Sequence, residues 1–178
     1  MINVKKISFI FKLSIFFSVM ISQQSHAETL TPYKITKDGW YIYKEELSCV
    51  AYADFGETTI RISDRVDQDK LFFSIVNTNW GVLANDIGKS ETMILMFPEI
   101  KKGLAAPSMI IRNTDKRYGY IVADFSKEKF ISYISSQDKM IIKISDHQEK
   151  IISKLILRGS AIGLMNLEQC TDEFFNKD

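Results

Sequence analysis

The sequence is poor in the residues that build metal sites. Its 178 residues include two histidines, His26 and His147, and two cysteines, Cys49 and Cys170. A structural zinc site usually needs about four His or Cys ligands in one place. The composition therefore argues against a metal site of this kind, and we predict neither a metal nor another cofactor.

An excess of charge of one sign is also absent. Lys and Arg total 23 against 22 Asp and Glu, which gives a formal net charge of +1. Proteins that bind nucleic acids draw much of their affinity from clustered basic side chains that meet phosphates. Nucleic acid is therefore not a predicted partner. With 46% hydrophobic residues, the chain has enough apolar material for a folded core.

The first 27 residues have the three parts of a secretion signal. Three lysines lie within the first 12 residues, and an almost purely apolar run follows from Leu13 to Ile21. Ser25 and Ala27 then place small residues at the −3 and −1 positions of a cleavage site. The apolar run is short for a transmembrane helix, which needs roughly 20 such residues. We predict a signal peptide over residues 1–27.

Cleavage after Ala27 would leave residues 28–178 as a single domain. Its charge would be 20 Lys and Arg against 22 Asp and Glu, because Lys5, Lys6 and Lys12 leave with the signal. No second long apolar segment follows, so we predict no transmembrane anchor after cleavage. The predicted location is the periplasm or the medium outside the cell.

Cys49 and Cys170 are predicted to form a disulfide. In an oxidising compartment, two cysteines in one domain are usually bonded. Cys49 lies in an early strand and Cys170 in the last helix, so the bridge would close a loop of 121 residues. A redox-active thiol is the alternative, but neither cysteine has the close partner that a Cys-x-x-Cys motif supplies.

Strand patterns dominate the middle of the sequence. Ile60 and Ile62 alternate with Thr59, Arg61 and Ser63, as a half-buried strand requires. Short apolar segments rich in Ile, Val, Phe and Tyr recur between turn residues, which favours antiparallel pairing. We predict a β-rich α+β fold: an antiparallel curled sheet, or a barrel or sandwich, of about eight strands with two helices packed on it.

The two helices are predicted near the C-terminus. Ser126 is a suitable N-cap for a helix over Lys127–Ser135. Ser160 is the suitable cap for a longer helix. The apolar residues of that helix recur at three- and four-residue steps and form one stripe. The stripe is Ala161, Leu164, Leu167, Cys170 and Phe174.

Candidate catalytic residues have simple structural interpretations. Asp64, Asp67 and Asp69 crowd one predicted hairpin turn but lack the ligand spacing of a calcium loop, so we interpret them as a solvated turn. Ser160 misses the Gly-x-Ser-x-Gly frame of a nucleophile. His147 lies in another predicted turn without a partner serine or cysteine. We therefore predict no catalytic residue.

Aromatic residues are the better candidates for a binding surface. In a strand, Trp40 and Ile42 share one face while Tyr41 and Tyr43 share the opposite one. One pair must therefore point away from the core unless both faces are covered. We take Tyr41, Tyr43 and the loop residue Trp80 as a candidate binding surface. The alternative is that a helix or loop covers these rings.

The run from Met140 to Cys170 carries a family resemblance. A strand pair ends in Leu155-Ile156-Leu157-Arg158-Gly159-Ser160, and a helix with Leu164, Leu167 and Cys170 follows. This run resembles the C-terminal part of small secreted proteobacterial proteins of unknown role. More distantly, it is similar to the invasion-associated locus B family, which also passes from late strands through a Leu-x-Gly turn into a helix. The family offers no catalytic residue to transfer.

Three functions are consistent with these patterns. The first is a non-catalytic periplasmic or secreted binding module that acts on another protein or an envelope component. The second is a hydrolase whose carboxylates are brought together by the fold. The third is an inhibitor or host-interaction protein, in which an exposed loop such as Asp64 to Asp69 fills a partner's site.

Overall fold

Ten strands form one antiparallel sheet, and two helices pack against one of its faces. The computed structural model describes residues 31–65, 68–77, 86–112, 118–144 and 150–175. The predicted signal, residues 1–27, lies outside this part of the chain. The elements are β1 (Lys34–Ile35), β2 (Trp40–Glu45), β3 (Ser48–Phe55), β4 (Thr58–Arg65), β5 (Lys70–Asn77), β6 (Ser90–Phe97), β7 (Lys102–Arg112), β8 (Tyr118–Ser126), α1 (Lys127–Ser135), β9 (Lys139–Ile144), β10 (Lys150–Ile156) and α2 (Ser160–Phe175).

The strand order is β1-β2-β3-β4-β5-β8-β7-β6-β9-β10. The first five strands follow one another as a meander, and β8 then joins β5 to the remaining strands. Strands β1 and β10 are the two edges, so the sheet is open rather than closed into a barrel. The predicted β-rich α+β class is confirmed, with ten strands instead of about eight, and a curled sheet or a sandwich fits the structure better than a barrel.

A proline in β7 marks the point at which this strand begins to pair with β8. β7 pairs with β6 from Lys102 onward but pairs with β8 only from Ser108 to Arg112. Pro107 immediately precedes that second pairing and has no N–H to donate to a neighbouring strand. The first half of β7 therefore has a partner on one side only.

The sheet is strongly two-sided. Alternate residues of β4 point toward the helices, as the pattern around Ile60 and Ile62 predicts, and both of these side chains are wholly buried. Trp40 and Ile42 of β2 are buried on the same face. We call this helix-facing side of the sheet the inner face and the opposite side the outer face. The largest wholly buried side chains include Trp40, Phe73, Phe97, Phe130, Ile42, Ile60, Ile62 and Leu71.

The longer helix, α2, lies very close to β2. A Cβ atom at Gly163 would lie 2.5 Å from Cδ2 of Trp40, so only glycine permits this approach. The indole Nε1 of Trp40 donates a hydrogen bond to the carbonyl oxygen of Arg158, at 3.0 Å, just before the helix begins. Trp40 therefore sets both the start of α2 and its distance from the sheet.

The predicted capping role of Ser160 is wrong. Its hydroxyl donates to the carbonyl oxygen of Ile134 in α1, at 2.9 Å, instead of accepting from an amide of its own helix. The carbonyl of Gly159 accepts the first bond of α2, from the amide of Gly163 at 2.9 Å. Gly159 is thus the N-cap, and its φ of +71° requires glycine. Ser160 instead ties the end of α1 to the start of α2.

The predicted disulfide between Cys49 and Cys170 is confirmed. It joins β3 to α2 with a Cα–Cα distance of 6.0 Å, and both residues are wholly buried. Leu164 and Leu167 of the predicted stripe are buried with Cys170, whereas Ala161 is exposed and Phe174 is 38% exposed. The stripe therefore contacts the sheet through its middle.

The shorter helix, α1, has the predicted bounds. Ser126 occupies the N-cap position, but its side chain makes no capping hydrogen bond. Phe130 and Ile134 are buried, and the ring of Phe130 packs 5.2 Å from Phe125 and 5.6 Å from Phe73, centroid to centroid. No helix within the described ranges is long and apolar enough to cross a membrane.

Replacing Gly163 with alanine should destabilise the protein, although alanine is the better helix former. The added methyl group would overlap the Trp40 ring, and overpacking of this kind costs about 1–3 kcal/mol. Urea unfolding followed by tryptophan fluorescence measures the change. The control, Ala161→Gly on the exposed side of α2, should cost about 1 kcal/mol through helix propensity alone. A Gly163→Ala variant more stable than wild type would contradict the packing described.

Replacing both cysteines with alanine should lower the free energy of unfolding by about 4–5 kcal/mol, because the bridge closes a long loop of the unfolded chain. The loop spans 121 residues. Denaturant unfolding of the wild type with and without dithiothreitol, beside Cys49→Ala/Cys170→Ala, measures this loss. Equal midpoints for the oxidised wild type and the double variant would show that the bridge contributes nothing.

Candidate functional site

Three tyrosines and an ion pair lie together on the outer face of β2, β3 and β4. Tyr41 is directly opposite Tyr52 in the β2–β3 pair, and Tyr52 is directly opposite Arg61 in the β3–β4 pair. Tyr43 lies two residues after Tyr41 on the same face, followed by Glu45. We call Tyr41, Tyr43, Glu45, Tyr52 and Arg61 the tyrosine face.

Two short turns set the register that assembles this face. Residues 46–47 join β2 to β3, and residues 56–57 join β3 to β4. Gly56 has a φ of +78°, the left-handed conformation that tight hairpin turns require. Because a two-residue turn fixes which residues face each other, Arg61 must lie beside Tyr52.

The side chains of the tyrosine face hold one another in place. The rings of Tyr43 and Tyr52 meet edge to face, with centroids 5.5 Å apart and an interplanar angle of 84°. Nε of Arg61 donates to the hydroxyl oxygen of Tyr52 at 3.0 Å. Nη2 of Arg61 binds both carboxylate oxygens of Glu45, at 2.9 and 3.2 Å. The rings of Tyr43 and Tyr52 are therefore held in fixed orientations.

The charge of Arg61 is matched within the tyrosine face. Burial lowers the pKa of this guanidinium, but its interactions with Tyr52 and Glu45 outweigh that effect and raise the pKa above its usual value. Arg61 stays positively charged, and Glu45 balances it. The face thus combines aromatic surface with an internally compensated ion pair.

The predicted binding residues have different outcomes. Tyr41 and Tyr43 lie on the face opposite the helices, where Tyr41 is 39% exposed and Tyr43 is half-buried. Trp80 and His147 lie outside the described residues. Tyr52 and Arg61 were not among the predicted site residues. The sequence feature that points to them is Gly56, because a two-residue turn there places Tyr52 opposite Arg61.

The interpretation of Asp64 as part of a solvated turn is wrong. β4 continues through Asp64, which follows Ile60 and Ile62 onto the inner face and is 0% exposed. Its Oδ2 lies 2.6 Å from Nζ of Lys127, the first residue of α1. A buried carboxylate needs such a partner, and the helix supplies it. Asp67 lies outside the described residues, and Asp69 is exposed.

A cleft lies beside this buried ion pair. It has a volume of about 440 Å³ and is lined by Asp69, Lys127, Glu128, Ile131, Ser132 and Glu168. Its carboxylates come from the β4–β5 connection, α1 and α2. General acid catalysis by a carboxyl group relies on burial in apolar surroundings, whereas Asp69 and Glu128 are exposed. The third carboxylate of the lining, that of Glu168, is half-buried.

Metal binding has no support in the described ranges. There, no three His, Cys, Asp or Glu side chains come close enough together to hold a metal ion.

Comparisons with protein-family models, with curated proteins and with solved structures found no match. The resemblance to the invasion-associated locus B family stays a prediction.

Replacing Lys127 with methionine should destabilise the protein by about 3 kcal/mol, because it leaves a buried carboxylate without its cation. The thermal midpoint and urea unfolding of Lys127→Met measure the loss. Lys129 is an exposed lysine of the same helix, so Lys129→Met is the matched control and should stay close to wild type. Equal stability of the two variants would mean that the Asp64–Lys127 pair does not anchor α1.

Proposed function

We propose that this chain is an exported, non-catalytic binding module whose tyrosine face binds another protein. The observation that carries the proposal is the grouping of Tyr41, Tyr43 and Tyr52 around Arg61 on the sheet face opposite the helices. Tyrosine and arginine are enriched among the residues that dominate binding energy at protein interfaces. A cell-envelope polymer is the other partner that the experiment below tests.

The rigidity of the tyrosine face supports this role. A tyrosine buries a large area while losing only two side-chain torsions, which keeps the entropic cost of binding low. Tyr43 and Tyr52 already restrain each other, and Arg61 is held at both ends by hydrogen bonds. Binding of a partner would therefore restrict few further side-chain torsions of these residues.

The charge balance of the face indicates how it would recognise a partner. Since Glu45 neutralises Arg61, the face carries little net charge to attract an oppositely charged surface from a distance. We therefore expect recognition through shape and aromatic contact, with weak dependence on salt.

The proposed compartment is the periplasm or the outside of the cell. Two observations support it: the three-part signal predicted over residues 1–27, and the buried disulfide between Cys49 and Cys170. Disulfides persist in oxidising compartments. A host-interaction role would also need export.

The inhibitor alternative is less well supported than a binding face. It relied on an exposed loop from Asp64 to Asp69, but Asp64 is buried and Arg65 is still part of β4. The segment between β4 and β5 is therefore shorter than predicted. Such a short connection would extend less far into a partner's site than the longer loop that was predicted.

A Tyr41→Ala/Tyr43→Ala variant should lose the capture of a protein from native envelope extract. Loss of one central anchor typically costs about 2 kcal/mol, which is roughly 30-fold in affinity. Immobilised wild type should retain a protein band at both low and high salt, and the double variant should not. Met109, 48% exposed on β7, provides the control, and Met109→Ala should behave as wild type.

Two results would overturn the proposal. One is retention of the same proteins by all three immobilised proteins. The other is retention of a polysaccharide but no protein by the wild type. Far-ultraviolet circular dichroism of each variant should match the wild type, since Tyr41 and Tyr43 lie outside the inner-face core.

A further inference from the structure

We propose that the outer face of β9 and β10, together with the adjoining strand β6, binds the surface of an anionic phospholipid bilayer. We call this surface the lysine face and define it by six residues: Ile94, Lys139, Ile141, Lys143, Lys154 and Ile156. It lies at the opposite end of the strand order from the tyrosine face. The inference does not depend on the proposed function.

Strand register brings lysines and isoleucines together on this face. Met140 and Ile142 of β9 are wholly buried in the core, so the residues that alternate with them point outward. Each lysine of the face lies directly opposite an isoleucine of the neighbouring strand, in the pairs Lys143–Ile94, Lys154–Ile141 and Lys139–Ile156. Cationic and apolar side chains therefore alternate across three adjacent strands.

Solvent reaches both kinds of side chain on the lysine face. Lys139 and Lys154 are exposed, and Ile156 is 62% exposed. The other three residues of the face are half-buried. An isoleucine as exposed as Ile156 gains free energy when a partner removes it from water.

Positive charge is concentrated in this half of the sheet. Strands β6, β7, β9 and β10 contain six lysine and arginine residues and a single acidic residue, Glu91, which is buried. Strands β2, β3 and β4 contain three basic and three acidic residues. The predicted mature chain has 20 Lys and Arg against 22 Asp and Glu, so attraction to an anionic surface must come from a local patch of this kind.

Protection of the sheet edge accounts for only part of this pattern. Lysines on an edge strand discourage pairing with another chain, and Lys154 lies on the edge strand β10. Lys139 and Lys143, however, lie on β9, which has β6 on one side and β10 on the other. These two lysines guard no edge, so their outward positions need another explanation.

A bilayer surface matches the alternation of lysine and isoleucine better than a nucleic acid does. Ammonium groups close to an anionic membrane are attracted to the phosphates of its head groups. Exposed apolar side chains enter the boundary between head groups and acyl chains. Lysine stems extend along apolar surface and leave their charges in the head-group layer. A nucleic acid would use the charges but would leave the isoleucines in water.

Flotation of the mature chain, residues 28–178, with lipid vesicles tests the proposal. The anionic vesicles contain equal parts of phosphatidylglycerol and phosphatidylcholine, and vesicles of phosphatidylcholine alone serve as the neutral comparison. We expect the protein to float with the anionic vesicles only. Binding should weaken as salt is raised, because salt screens exposed charges.

Two variants test the two kinds of side chain. Lys139→Gln/Lys154→Gln should weaken binding to the anionic vesicles by about fivefold for each lysine removed. Ile156→Gln keeps the charge and should weaken binding by roughly three- to tenfold through lost apolar burial. The control, Lys37→Gln/Lys129→Gln, removes the same charge at exposed positions outside the lysine face and should bind as wild type.

The proposal fails if the wild type does not float with the anionic vesicles or floats equally with the neutral ones. Equal losses in the lysine-face and control variants would overturn it too. Unchanged binding of Ile156→Gln would contradict contact of the apolar side chains with the bilayer. Tighter binding to polyglutamate than to the vesicles, at an equal concentration of anionic groups, would assign the face to an acidic protein instead.

Two further measurements keep these outcomes interpretable. Tyr41→Ala/Tyr43→Ala should float as wild type, which separates this test from that of the tyrosine face. Thermal melts of each variant verify folding, and they should match the wild type because no described ion pair involves Lys139 or Lys154.

Discussion

The packing of α2 on β2 and β3 is the interaction on which the rest of the described structure depends. Gly163 lets the helix approach the ring of Trp40, and the disulfide fixes Cys170 of the helix to Cys49 of the sheet. Near the C-terminal end, the hydroxyl of Tyr33 donates to Glu173, and this hydrogen bond raises the tyrosine pKa. With α2 in place, the apolar inner side of β2, β3 and β4 is removed from water, and burial of apolar surface is the main driving force of folding.

This packing also determines where a partner can bind. Because both helices cover the inner face, the outer face of β2, β3 and β4 stays accessible, and the tyrosine face lies there. The hydrogen bond from Ser160 to Ile134 holds the two helices together. Glu128 of α1 and Glu168 of α2 consequently border one cleft. One arrangement of helices thus produces two separate surfaces with different chemistry.

The ion pairs Arg61–Glu45 and Lys127–Asp64 show how burial changes what an ion pair contributes to stability. Arg61 and Glu45 are about one-third exposed, so water and salt weaken their attraction and the pair contributes little stability. Its effect is to orient the Tyr52 hydroxyl and to cancel charge. Asp64 is wholly buried against Lys127, where loss of either partner would be costly. That pair holds α1 in place.

The sequence by itself determined the strand alternation, the bounds of α1, the buried middle of the α2 stripe and the identity of the disulfide partners, because periodicity and a count of two cysteines are visible locally. It also placed Tyr41 and Tyr43 on one face of β2 and Trp40 on the other face. Only the tertiary structure decided that Gly163 must be glycine, that Ser160 links two helices and that Lys127 pairs with Asp64. These features depend on contacts between residues distant in the chain, whose close approach and charge pairing no local pattern encodes.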